Sequence, residues 1–242
     1  MAPVSSRIVA IAPVYNEKGK IGRTVAKVPR GAVGEIVVVS DASDDGSDEE
    51  ARAAGATVLR HDKTLGVGAA IRTGLQYGLD KGYDVLVVMA GNDKDDPTEI
   101  PKLVAPVIER GVHYVQGSRY ARGGEYGKMP LHRLILTRAY PWLVRLVTGF
   151  PITDATNGFR AISSDFLKDP RVNMDQGWLD RGELEYYLQL KALTLGFKVE
   201  EVPVRKIYPD LSAYRNYTKI KPVYDWIRNL RPIFYLTFGL KS

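Results

Sequence analysis

The chain contains no cysteine in its 242 residues. That excludes disulfides and thiolate-held metals and leaves the redox compartment undetermined. Histidine is scarce too: three, scattered, too few to build a zinc site from imidazoles. No apolar run approaches the ~20 residues needed to span a bilayer. The opening stretch, "MAPVSSRIVAIAPV", lacks a charged n-region and passes straight into a strand-like run, so no signal peptide is read and a cytoplasmic protein is expected. Two familiar nucleotide signatures are missing. "DKTLGVGAAIRTG" lacks the Gly-Lys-Ser/Thr ending of a phosphate-binding loop, and no G-x-G-x-x-G follows the first strand. Internal repeats, low-complexity runs and linkers are absent, which points to one domain over residues 1–242.

What is present is an ordinary globular composition, 45% apolar and 26% charged, with charge unevenly placed. Residues 201–242 hold eight Lys/Arg against three Asp/Glu, and residues 117–145 hold six against one, so each block is +5 in a chain of +6. Two basic blocks in the second half suggest an anionic partner, a phosphate, a nucleic acid or a lipid surface, although solvated surface charge explains any single residue as well.

The first half alternates. Strand-like runs at 7–14, 35–40, 56–60 and 83–89 are separated by helical spacing at 17–28, about 48–54, 68–82 and 97–111, the last opened by Pro97. Continuous Val/Ile strands between helices predict an α/β fold, a mostly parallel central sheet with helices on both faces. Ligands of such sheets bind at the carboxyl ends of the strands. The polar clusters fall there: "VYNE" after strand one, "SDASDDGS" after strand two, "AGNDKDDP" after strand four. After about residue 117 the alternation weakens into a basic helix at 131–149, a loop at 151–163, a helix at 181–196, a strand at 198–208, and an aromatic, basic tail at 217–240.

Within these clusters, Asp41 can accept hydrogen bonds from a nucleobase or ribose, or serve as a turn or N-cap aspartate. Gly66 and Gly68 permit a tight turn into a helix. Arg72 suits either a site or a surface. In "LVVMAGNDKDDPTEI" three carboxylates, Asp93, Asp95 and Asp96, crowd a strand end around Lys94, and such crowding requires a positive partner. A divalent metal and Lys94 both qualify.

"APVYNE", "VVVSDASDDGS", "GVGAAIRTG", the acidic cluster after strand four, "GSRY" and "DATNGFR" occur in the order seen in family 2 inverting glycosyltransferases. The chain most resembles the dolichyl- and polyprenyl-phosphate sugar synthases and their bacterial relatives, from about Ile8 to Lys221. The resemblance implies a GT-A fold, a nucleotide-diphosphate sugar donor bound by residues 1–116, and an acceptor bound by residues 117–242. It places Pro13, Tyr15, Glu17, Asp41 and Ser43 around the nucleoside, with Gly68, Arg72 and Asn92 nearby. It also implies Mg²⁺ or Mn²⁺ at the strand-four aspartates. Here the pattern departs: aligned on Met89 and Pro97, Ala90 and Asn92 stand at the aspartate positions and Lys94 at a glutamine. The candidate ligands become Asn92, Asp93 and Asp95, with Lys94 as the competing diphosphate partner.

For the acceptor, the resemblance implies a lipid phosphate held by Arg119 of "GSRY" and by Arg133 with Thr137, a spacing that puts both on one helical face. Arg138 and Arg205 add charge there. The tail, with Trp226, Phe234, Tyr235 and Phe238 among Lys221, Arg228 and Arg231, has the composition of a headgroup-boundary segment, peripheral on the cytoplasmic face of a membrane. A hydroxyl acceptor would instead need a carboxylate base, and Asp180, Glu183 and Glu185 of "WLDRGELE" are the candidates. Two rivals are weaker. A nucleotidyltransferase would want a Gly-rich basic loop after strand one, and a nucleic-acid-binding module would not need the carboxylates; no nucleic acid partner is expected.

Overall fold

The computed structural model describes residues 7–207 and 224–241, so Lys221, the last residue of the strand expected at 198–208, and the side chain of Trp226 lie outside what is described. In chain order the elements are β1 (Ile8–Val14), α1 (Ile21–Ala26), β2 (Glu35–Ser40), α2 (Ser47–Ala53), β3 (Thr57–Arg60), α3 (Val67–Asp80), β4 (Val85–Val88), α4 (Ile100–Arg110), β5 (Tyr114–Ser118), α5 (Leu131–Thr148), β6 (Arg160–Ser163), α6 (Ser164–Lys168), α7 (Glu183–Thr194), β7 (Val199–Pro203) and α8 (Tyr224–Thr237). They form a seven-stranded sheet of order β3-β2-β1-β4-β6-β5-β7. β1 pairs in parallel with β2 and β4, and β5 with β7; β6 alone runs antiparallel to both its neighbours.

Alternation along β1 explains the layers. Ala10, Ala12 and Val14 join Ile36, Val38, Val87 and the helices α1, α2 and α4 in one core. Val9 and Ile11 point the other way, with Val37, Val39 and Leu86, onto α3, α6 and α7. Both faces are covered, as the unbroken Val/Ile runs require. The second half carries what periodicity did not show. β6 is the four residues "RAIS" at the end of a stretch expected to be loop, β5 contains Gln116 and Gly117, and α8 packs along α7. β6 slots antiparallel between β4 and β5, which brings "DATNGFR" beside "GSRY" at the sheet edge.

Candidate active site

Three loops leave the carboxyl ends of β1, β2 and β4, and each contains one non-glycine residue in the left-handed region: Asn16 (φ 54°), Ala42 (φ 61°) and Asp93 (φ 59°). Backbone so placed costs roughly 1–3 kcal/mol and persists where surrounding bonds over-determine it. Here the β1 and β2 loops interlock. Asn16 N donates to Ser43 Oγ (3.0 Å), Asn16 Nδ2 to Asp44, Glu17 N to Ser47 Oγ (2.8 Å) and Lys18 N to Asp45. Pro13 is half-buried in β1, and the Glu17 carboxylate accepts from Lys20 Nζ.

Asp41 is buried, and its carboxylate organises the turn into α3. Oδ1 accepts from Leu65 N (2.8 Å) and lies 2.8 Å from His61 Nδ1, while Oδ2 accepts from Gly66 N (2.8 Å). His61 Nε2 continues to Thr73 Oγ1 at 3.0 Å. Around this buried aspartate, Tyr15, Leu65 and Val67 leave apolar surface exposed. His61 carried no sequence signal; only the fold sets it beside Asp41.

Gly66 and Gly68 turn out to serve close packing. A Cβ on Gly68 would lie 2.0 Å from Leu179 O, and one on Gly66, at φ +121°, 2.4 Å from Asp180 O. The first amides of α3 are consumed by that contact: Gly68 N donates to Arg181 O, and Ala69 N to Asp180 O (2.8 Å). Arg72 reaches the same segment, its guanidinium 2.5 Å from Asp180 Oδ1 and 3.1 Å from Met174 O. Two candidates from opposite halves of the chain, Arg72 and Asp180, are therefore each other's partner.

In the "NDKDD" loop the carboxylates diverge. Asp93 turns toward α1, accepting from Arg23 Nε (2.8 Å) and Lys27 Nζ (2.7 Å). Asp95 turns inward: Oδ2 accepts from Ala90 N (2.8 Å), and Oδ1 lies 2.5 Å from Lys206 Nζ, which also donates to Asn157 Oδ1 (3.0 Å). Lys94 and Lys206 are both buried. Burial and the positive charges of Lys206 and Arg133 push the Lys94 ammonium down to about 7, against the pull of Glu17 and Asp95. Lys94 thus lies within electrostatic reach of two cations, Lys206 and Arg133, and of two carboxylates, Glu17 and Asp95.

On the second-half side, Arg119 is buried and bidentate to Asp154, and also donates to Thr156 Oγ1 (2.6 Å). Thr137 is buried; its hydroxyl donates to Arg133 O (2.8 Å) and lies 2.6 Å from Tyr120 OH. Arg205 leaves the cluster, its side chain exposed and 3.2 Å from Glu125. The three carboxylates considered as bases are all ion-paired. Asp180 has Arg72 at 2.5 Å, fully buried Glu183 has Arg228 at 2.8 Å and Arg231 at 3.5 Å, and Glu185 has Arg160 at 2.9 Å. Asp154, Asn157 and Lys206 were not singled out from sequence. The first two lay in a quoted motif without a role, and Lys206 read as one more basic residue.

Comparison with known proteins defines the class. Residues 9–169 match the family described as Glycosyl transferase family 2. An undecaprenyl-phosphate mannosyltransferase of Micrococcus luteus is 32% identical over 212 residues, covering 85% of each chain. A UDP-N-acetylglucosamine–dolichyl-phosphate N-acetylglucosaminyltransferase of Methanococcus voltae is 28% identical, covering 86% of this chain and 88% of that one. A crystal structure of Mycobacterium tuberculosis glucosyl-3-phosphoglycerate synthase, in complex with Mn²⁺, UDP and glucosyl-3-phosphoglycerate, superposes with a TM-score of 0.69 at 17% identity, covering 98% of this chain and 82% of that one. The chain belongs to glycosyltransferase family 2, and its fold is GT-A. It is a glycosyltransferase, which removes the nucleic-acid-module and nucleotidyltransferase readings.

The family's metal can be tested against the side chains. All four oxygens of Asp93 and Asp95 face protein donors. Of the candidate ligands, Asn92 Oδ1 alone is buried with no hydrogen-bond partner. Among the described residues no three His, Asp or Glu side chains converge on one point. One neutral amide oxygen beside two buried lysines does not fit a hard divalent cation, which takes carboxylates together with substrate phosphates.

Proposed function

We propose that this glycosyltransferase moves a sugar, with inversion, from a nucleoside diphosphate sugar to the phosphate of a polyprenyl-type lipid at a membrane surface. The observation that carries this reading is the pairing of Asp180, Glu183 and Glu185 with arginines. A hydroxyl acceptor must surrender a proton to a base, and those carboxylates are each held by a cation. A phosphate monoester arrives as an anion and needs no base. Its oxygen attacks the anomeric carbon, the bond from that carbon to the nucleoside diphosphate oxygen breaks in line, and the electron pair leaves with the diphosphate. Both anions are favoured by the positive field of Lys94 and Arg133.

The surface of α5 supports the lipid. Arg133, on one side of the helix, is an electrostatic neighbour of Lys94. A different side presents Leu131 (70% exposed), Ile135 (58%), Trp142 (69%) and Leu146 (83%) at helical spacing. Exposed Arg122, Lys128 and Arg138 lie at and before the same helix, and the Arg145 guanidinium stacks 5.2 Å from the Trp142 ring. Apolar side chains between cations suit the headgroup boundary of an anionic bilayer. Among the described residues no helix is long and apolar enough to cross a membrane. Phe234 of α8 and Phe238 just beyond its end, their rings tilted with centroids 4.7 Å apart, are exposed as well.

The test is a matrix of UDP-, GDP- and dTDP-sugars against polyprenyl phosphate in vesicles and soluble acceptors including 3-phosphoglycerate, read by mass spectrometry. The expected product is a lipid-linked sugar phosphodiester. A soluble glycoside in its place overturns the acceptor assignment.

A further inference from the structure

We propose that His61 sets which nucleobase the donor carries. By filling Oδ1 of Asp41 it leaves that carboxylate a single open acceptor, which suits a base with one ring N–H, uracil or thymine, and not guanine. The inference rests on the donor being a nucleoside diphosphate sugar with its base at Asp41, and it concerns the nucleoside rather than the acceptor.

An ionised carboxylate only accepts, and its two oxygens offer about four lone-pair sites. Asp41 spends three of them. Oδ1 takes Leu65 N and His61 Nδ1, each at 2.8 Å, and Oδ2 takes Gly66 N, also at 2.8 Å. All three donors are fixed. Leu65 N and Gly66 N belong to the turn into α3, packed so closely on residues 180–181 that a Cβ on Gly66 would lie 2.4 Å from Asp180 O. The His61 ring is pinned from its other side: in the neutral imidazole with its proton on Nδ1, Nε2 accepts from Thr73 Oγ1 of α3 at 3.0 Å. The His61 and Asp41 side chains are 10% and 5% exposed, so a donor lost here is poorly replaced by water. One acceptor site remains, on Oδ2.

The bases differ in what they ask of a carboxylate. Guanine presents two adjacent donors, its ring N1–H and its 2-amino group, and is met in full when each carboxylate oxygen takes one. Here Oδ1 is already filled. Uracil and thymine present one ring N–H between two carbonyl oxygens, and Oδ2 alone satisfies it. Cytosine and adenine set a ring-nitrogen lone pair beside their amino donor, and a carboxylate repels it. A buried polar group left unpaired is what rejects a wrong ligand most strongly, so guanine's second donor discriminates. His61 acts through Asp41 and is a positioning residue of the donor site.

The experiment is calorimetric titration of UDP, dTDP, GDP and CDP into the full chain, in EDTA and again in Mn²⁺. UDP or dTDP is expected to bind more tightly than GDP and CDP by about tenfold or more, the scale of one unmet buried hydrogen bond. His61→Ala reopens a site on Oδ1 and should narrow the gap to GDP by about fivefold or more, whereas a purely structural role would weaken all four ligands alike. His61→Asn, whose amide nitrogen stands where Nδ1 does, should restore the gap. Thr73→Val is isosteric and mild for the fold; it releases Nε2 and should narrow the gap in the same direction, which keeps the test open if His61→Ala does not fold. GDP or CDP binding the wild type as tightly as UDP and dTDP overturns the inference and leaves the donor reading standing. So does a gap that neither His61→Ala nor Thr73→Val narrows. Failure of every diphosphate to bind under either condition overturns both.

Discussion

Asp154 grips Arg119 through two parallel hydrogen bonds, Oδ2 to Nε at 2.7 Å and Oδ1 to NH2 at 2.8 Å, with side-chain exposures of 0% and 1%. The pair ties the end of β5 to the loop before β6, and Glu201 of β7 holds that loop in turn by accepting from Thr153 N and Asp154 N. A charge pair this deep is costly to break on one side only. Asp154→Ala is expected to destabilise the fold by ~3–5 kcal/mol. Urea unfolding checks it, and a midpoint within error of wild type would contradict it.

The same pair sets an acid limit. Burial alone would raise the Asp154 carboxyl; the Arg119 guanidinium and the Arg119 and Thr156 amides more than offset this and hold it below its ordinary value. A depressed folded-state value contributes stability that is complete above the unfolded carboxyl value of about 3.9 and is lost as pH falls through the folded one. Unfolding midpoints should therefore show no pH dependence from this pair between pH 7 and about 4, where its contribution is complete, and a decline below. In Asp154→Asn that acid slope should be shallower. An equal slope would remove Asp154 from the acid response.

Gly68 tests how α3 is seated. Adding a Cβ 2.0 Å from a backbone carbonyl forces the helix away from residues 179–181, and Gly68→Ala should cost ~1–3 kcal/mol as overpacking. It should also loosen the Arg72–Asp180 pair. Unchanged stability and nucleotide affinity would mean that the segment yields freely.

Glu183 distinguishes a base from a strut. It is fully buried between Arg228 and Arg231 of α8. Glu183→Gln is expected to lower stability by ~1–3 kcal/mol, the scale for weakening a charge-assisted hydrogen bond, while leaving transfer to a lipid phosphate within about tenfold. Loss of turnover by a factor of a thousand or more, with the fold intact, would make it the base.

Much of the donor half was legible because its signals are local. Unbroken Val/Ile strands, intervening helices and polar strand-end clusters mark β1 to β4 and the site edge in the sequence itself. β5 and β6 were not legible because "YVQGS" and "RAIS" are short and interrupted by polar or small residues, and their strand character comes from pairing alone. The side-chain roles behaved likewise. Asp41 was placed at the right strand end, but its three donors come from residues 61, 65 and 66. Lys206 meets Asp95 across 111 positions, a distance at which spacing carries no information.

The apolar stripe of α5 predicts membrane attachment. Replacing Trp142 and Leu146 by Asp removes two exposed side chains, each worth ~1.5–3 kcal/mol when buried in an apolar phase. Co-sedimentation with anionic vesicles should weaken by at least a hundredfold, with nucleotide affinity unchanged. Retained vesicle binding would assign the stripe to another role.

In the proposed reaction the acceptor brings its own negative charge. The most direct measurement compares sugar transfer to polyprenyl phosphate and to the corresponding polyprenol, in the same vesicles with the same donor. Turnover of the phosphate and none of the alcohol is expected, because Asp180, Glu183 and Glu185 are held by arginines. Transfer to the alcohol, or to a soluble hydroxyl, with the lipid phosphate left untouched would contradict it.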